Sequence, residues 1–306
     1  MLKFTLRQLE YFAKVAETGS LATAAKALNI SQPSISSAIA KLEDSMGIQL
    51  LVRHHAQGVT LTSAGGRMLL QIRDLLAHAD DVRNRAQGLG ENVEGRIHIG
   101  CFGPIASMYI PSLLTQFKSD YPHIELLIYE ENIDTLLDGL GSNRYDVSIV
   151  YRLGVPESLR VESLTSLRPH VILPEGHALA SRRSVSLQAL AAEPMVLLDT
   201  PQSREYFLSL FADQGLEPRV SIRSPSFESV RALVANGAGY SILLTRPVTS
   251  SCYDGHRLVV RSIDNEVSSV DIVLVRPNGV RPTRLVNTFV EQCQNHFAAF
   301  QSNAAN

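Results

Sequence analysis

The sequence predicts a chain in two parts, an all-α head followed by an α/β body. Three observations predict it. Apolar residues recur at helical spacing, with cap signals, over the first fifty positions. A heptad seam runs from Met68 to Leu89, and from Arg96 onward strand-prone and helix-prone segments alternate. With 306 residues, the chain has room for more than one hydrophobic core.

In the head, Thr5-Leu-Arg-Gln8 fits a capping box, and Leu9, Phe12, Ala13 and Ala16 follow at helical spacing until Gly19 stops the helix. Ser20 caps a second helix whose Ala22, Ala24 and Ala25 permit close approach of a neighbour, with Leu28 closing its apolar face. Asn29-Ile30 make a turn, and Ser31 caps a third helix. Pro33 sits in that helix's first turn, where the amide it lacks would be unpaired anyway.

Ile35, Ile39, Leu42 and Met46 form the third helix's apolar side. Pro33, Ser34, Ser37, Ala40 and Lys41 lie opposite, a small hydroxyl-rich face almost without acids. Such a face, with an open N-terminal end, fits the major groove of DNA, and Gln32 can reach an adenine edge. A plain three-helix domain with incidental serines is the alternative. Two β-prone runs, Gln49–Val52 and Val59–Leu61, follow around a basic turn holding Arg53, His54 and His55. This is the layout of a β-wing beside a recognition helix.

Beyond it, Met68, Ile72, Leu75, Ala79, Val82, Ala86 and Leu89 step by four and three between charged flanks. A stripe that narrow suits contact with a second helix better than burial in a core. Gly88, Gly90 and Gly95 mark a hinge. In the body, alternating elements imply parallel, doubly wound sheets, which bind ligands beyond the carboxyl ends of their strands. Gly237-Ala-Gly239 follows a helix and precedes a strand, the reverse of a dinucleotide fingerprint, so helix termination is its expected role.

Charge is divided between the parts. Net charge is −2, yet residues 1–73 hold eight Lys/Arg against four acids, leaving the rest at −6. That asymmetry fits a head that meets an anion. No apolar run is long enough to span a membrane and no signal peptide precedes the first helix, so a cytoplasmic chain without a membrane partner is expected. Three widely spaced cysteines offer neither a disulfide framework nor a zinc site. No catalytic constellation, metal-ligand spacing or cofactor motif appears, so no enzyme, metal or cofactor is expected.

The stretches "LRQLEYFAKVAETGS", "AAKALNISQPSIS", "LEDSMGIQLLVR" and "LTSAGGRML" closely resemble the LysR-type transcriptional regulators, in the family's order and spacing. "EGRIHIG", "IPSLLTQFKSDYPHIELLI" and "VRALVANGAGYSILL" match its effector-binding part more loosely. The resemblance implies a winged helix-turn-helix DNA-binding domain at 1–61 and a dimerisation linker helix at 62–90. It implies an effector-binding domain at 94–306 that is periplasmic-binding-protein-like, with two doubly wound subdomains (94–165 with 270–306, and 166–269). Gln32, Pro33, Ser36 and Ser37 would then face bases, with Arg53 and the wing on phosphates. The chain departs from the family in its small residues at Ser37 and Ala38 and in His55. The partners implied are a double-stranded operator, a small effector, further copies of the chain as homodimer or homotetramer, and RNA polymerase.

By position, effector contacts would come from Cys101, Phe102, Gly103 and Pro104, from Tyr151 and Arg152, from Pro201, Gln202, Ser203 and Arg204, and from Phe227. Arg152 directly follows an apolar strand and could grip a carboxylate in two-point fashion, making the effector an organic anion. Pairing of Arg152 with an acid in the subdomain linker is the alternative. Two other functions stay open: a solute-binding transport component, and a redox-sensing regulator working through Cys101.

Overall fold

The computed structural model describes residues 3–54, 58–86, 93–279 and 281–304. Two compact units divide the chain close to residue 93.

The first unit holds α1 (Leu6–Thr18), α2 (Leu21–Ala27), α3 (Gln32–Met46), the hairpin β1 (Leu51–His54) and β2 (Gly58–Leu61), and α4 (Ser63–Ala86). Thr5 and Gln8 form the capping box, and Ser20 and Ser31 accept the amides of Thr23 and Ser34. Gly19 and Gly47 close α1 and α3 in the left-handed conformation, which costs glycine little. Leu9, Phe12 and Val15 meet Ala24, Ala25, Ile35, Ile39 and Leu42 in one core. Val15 takes the deep position, and Ala13 and Ala16, expected on that face, are only partly buried.

The first wing strand starts two residues later than the β-prone run. Leu50 and Leu51 both donate their amides to Glu43 Oε1, at 2.7 and 3.0 Å, and the Leu50 carbonyl accepts from the Thr62 amide. With those groups committed to α3 and α4, the ladder begins at Leu51, opposite Leu61. The heptad stripe on α4 also divides. Ile72 is buried in the core of the head and Met68 packs against it, because α4 lies over α1 through its first turns. Leu75 and Val82 are exposed and Ala79 is half-buried. The side chain of Ala86, and Gly88, Leu89 and Gly90, lie outside the described residues, as does His55 in the wing.

The second unit begins with β3 (Gly95–Phe102), α5 (Gly103–Ala106), α6 (Ile110–Asp120), β4 (Ile124–Glu131), α7 (Ile133–Gly141), β5 (Val147–Tyr151) and β6 (Leu159–Leu167). It continues with β7 (His170–Pro174), β8 (Ser184–Val185), α8 (Leu187–Ala191), β9 (Pro194–Leu198), α9 (Pro201–Ala212), β10 (Arg219–Ser224) and α10 (Phe227–Ala235). β11 (Ser241–Leu243), β12 (Leu258–Ile263), β13 (Val270–Pro277) and α11 (Arg284–Ala304) complete it.

One sheet has the order β4-β3-β5-β13-β6 and the other β11-β7-β12-β8, extended through Tyr240 to the parallel pair β9 and β10. The sheets are mixed, where alternation alone implied parallel ones. β13 runs antiparallel to β5 and β6 because it enters the first sheet on the return from the second. β7 is antiparallel to both β11 and β12. The Gly-Ala-Gly turn has two duties. Gly237, at φ +87°, ends α10, while a Cβ on Gly239 would stand 2.0 Å from the Pro194 carbonyl, where Tyr240 bonds β9.

Candidate functional sites

On α3, Gln32, Pro33, Ser34, Ser37 and Lys41 are exposed and Ser36 is half-buried. No acid occurs between Gln32 and Lys41. The Ser31 hydroxyl lies 2.7 Å from that of Ser34, so Ser34 is engaged in the cap while Gln32 stands free at the helix entry. Arg53 Nη1 donates to Ser36 Oγ at 3.1 Å and joins the wing to this face. His54 Nε2 and Thr60 Oγ1 pair across the hairpin at 2.9 Å. Gln8 Nε2 reaches the Ala38 carbonyl at 3.5 Å and Glu43 anchors the strand, so both set the angle of α3. Sequence reasoning passed over Glu43, whose only signal was a carboxylate beside the apolar side of α3.

A cleft of about 980 Å³ opens in the second unit at the carboxyl ends of β3, β4, β9 and β10. That is where doubly wound sheets bind ligands. Phe102, Gly103, Pro104, Pro201 and Phe227 line it. The other expected contacts lie off its wall. Cys101 is fully buried behind it, and Tyr151 is buried with its ring edge-on to Phe102 at 5.3 Å. Arg152, just past the end of β5, is exposed, and its amide donates to the Asp271 carbonyl. Gln202 bonds Asp134, Ser203 is buried within α9, and Arg204 pairs with Asp199.

Residues that sequence reasoning missed complete the wall: Glu130, Glu131, Asp199, Thr200, Glu228 and Arg231 among them. Glu130 and Glu131 end β4 and Asp199 directly follows β9, and this place at strand ends is the one signal that could have singled them out. Arg231 is buried, with Nη1 2.6 Å from Glu228 Oε2 and Nη2 donating to the Thr249 and Ser251 carbonyls at 3.3 and 3.2 Å. Arg204 and Arg223 compensate Asp199, and Arg144 lies 3.6 Å from Glu131. Thr200 starts α9 without a side-chain cap, and its buried Oγ1 has no hydrogen-bond partner.

Cys101 and Cys293 are both buried free thiols. Burial first, then Glu130 and Cys293, pushes the Cys101 thiol well up, and burial followed by Glu162 raises Cys293. Both stay protonated, and the thiolate is the reactive form. Among the described residues no cluster of His, Cys, Asp and Glu could hold a metal ion, and no helix is long and apolar enough to cross a membrane.

Residues 6–66 match the family model for bacterial regulatory helix-turn-helix proteins of the lysR family, and residues 90–298 match the LysR substrate binding domain. The HTH-type transcriptional regulator YvbU of Bacillus subtilis is 29% identical over 295 residues, 96% of this chain and 99% of that protein. The transcriptional activator protein LysR of Escherichia coli is 29% identical over 94% of this chain and 92% of its own length. Among solved structures, HinK, a LysR family transcriptional regulator from Pseudomonas aeruginosa, is similar with a TM-score of 0.65 and 38% identity, covering 96% of this chain and 99% of that one.

Proposed function

This chain belongs to the LysR family of transcriptional regulators, and from that premise we propose which of its residues read DNA and which receive the effector. The chain is a DNA-binding transcriptional regulator with a C-terminal effector-binding domain. In our reading α3 enters the major groove from its Gln32 end, with Gln32, Pro33, Ser36 and Ser37 toward bases. Arg53 and the wing meet phosphates, which positions the helix without specifying sequence. The observation that carries this reading is the acid-free exposed face of α3, joined to the wing by the Arg53–Ser36 bond.

The linker helix joins two copies through Leu75, Ala79 and Val82, the residues of the stripe that the head's own core leaves over among the described ones. A two-fold dimer presents two reading heads to a near-symmetric operator, and pairing of dimers gives a tetramer. On DNA the assembly addresses RNA polymerase. The effector sits in the cleft, and its carboxylate end meets the uncapped N-terminus of α9 at Thr200, in place of Arg152. Free amides and the helix dipole favour an anion there, and Arg204 and Arg223 cancel the charge of Asp199. Ligand binding then shifts the assembly by its differential affinity for two arrangements.

Selection of genomic fragments by the full chain supplies the operator, and competition against a scrambled duplex tests the reading head. Gln32→Ala should lose about 1–3 kcal/mol of discrimination while nonspecific affinity is kept. Unchanged discrimination in that variant removes Gln32 from base readout.

A further inference from the structure

Nearly every cation around the cleft is already committed. Arg231 is spent on Glu228 and two carbonyls, Arg204 and Arg223 on Asp199, and Arg144 on Glu131. The acceptors are not. Glu130 lines the cleft, exposed, with no cation at ion-pair distance among the described residues. Glu228 bonds Arg231 through Oε2 only, and its Oε1 is buried without a partner. Thr200 is 8% exposed, and its Oγ1 likewise has none. Two buried oxygens, Glu228 Oε1 and Thr200 Oγ1, thus lack a partner beside the exposed Glu130 carboxylate, and an unsatisfied buried carboxylate oxygen is costly.

The aromatic lining fits the same kind of ligand. Phe227 already receives the Arg231 guanidinium 6.0 Å from its ring centroid, so this wall attracts cations. Tyr253 stands 95% exposed at the mouth, free to cover a bound group with its ring face. Carboxylates interleaved with ring faces are the chemistry that recognises organic cations.

Resting on the cleft reading above, we propose that the effector carries an ammonium group, held by Glu130 and the Phe227 and Tyr253 rings, with Glu228 accepting an N–H bond from it. Together with a carboxylate at α9, this makes the effector a small zwitterion of the amino-acid type.

The test is binding of matched compounds to the full chain by calorimetry and thermal shift: phenethylamine, 3-phenylpropionate and phenylalanine, then butylamine, butyrate and 4-aminobutyrate. The ammonium-bearing members should bind at least about tenfold more tightly than the carboxylate-only member of each set. Glu130→Gln, an exposed change that leaves the unliganded melting temperature unaltered, should erase that preference, and Tyr253→Ala should reduce it. Carboxylate-only members that bind as tightly as their ammonium partners overturn the ammonium proposal and leave the cleft reading standing. So does a preference that survives Glu130→Gln. No binding by any member at millimolar concentration overturns both.

Discussion

Arg53 Nη1 donates to Ser36 Oγ across 3.1 Å, so the wing's cation is held against the face of α3 before any DNA arrives. In the proposed docking an arginine anchored in this way would reach a phosphate from a fixed position, at a smaller loss of side-chain entropy on binding.

Arg53→Gln should weaken binding to every duplex alike and reduce the slope of log affinity against log salt by about 1. Ser36→Ala keeps the charge and should keep that slope. Salt-titrated anisotropy of both variants checks this, and an unchanged slope in Arg53→Gln takes the residue off the phosphates.

Two neighbouring glycines in α4 should respond with opposite sign. A Cβ on Gly65 would stand 2.0 Å from the Leu50 carbonyl, whereas one on Gly66 meets nothing within 4 Å. Gly65→Ala should cost about 1–3 kcal/mol or more through the forced backbone shift. Gly66→Ala should gain about 0.5–1 kcal/mol from helix propensity. Chemical denaturation of the two variants side by side distinguishes them.

Burial, with Arg246 adding to it, lowers His170 from 6.5 to about 4. Between those values the unfolded chain binds more protons than the native one, so stability rises with pH across the window. The contribution is complete above pH 6.5 and is lost as pH falls toward 4. It amounts to at most about 3 kcal/mol. His170→Gln should flatten that part of the stability profile, and a profile unchanged between pH 7 and 4 would contradict the assignment.

The orphaned hydroxyl of Thr200 gives a test with two signs. Thr200→Val removes a buried unpaired oxygen and should raise the stability of the unliganded chain, since such a group costs about 1–3 kcal/mol. The same change should weaken effector binding. Arg152→Ala should leave effector affinity as it was, because that side chain lies off the cleft wall.

Local signals were the legible ones. Thr5 with Gln8, Ser20 and Ser31 cap where their chemistry places them, since a cap is settled within four residues. The Met68–Leu89 stripe is one seam in the sequence, yet Ile72 serves the head's own core, because periodicity shows an apolar face without showing what covers it. Gly239 was legible as punctuation only; its clash with the Pro194 carbonyl exists once β9 is folded beside it. A place directly after a strand brings Arg152 no contact with the cleft wall, and its side chain is exposed. Whether an arginine is free or spent depends on partners from distant segments. Arg231, which no local signal singles out, is neutralised in the fold by Glu228 and two loop carbonyls.

In the proposed docking, α3 and its wing read a specific duplex. That docking is tested most directly by salt-titrated fluorescence anisotropy of the full chain, on the DNA upstream of its own coding sequence or on a genomically selected fragment, beside a scrambled duplex. Tight, salt-dependent binding that prefers the native sequence is the predicted result. Equal and weak binding to both duplexes, together with an empty genomic selection, would contradict it.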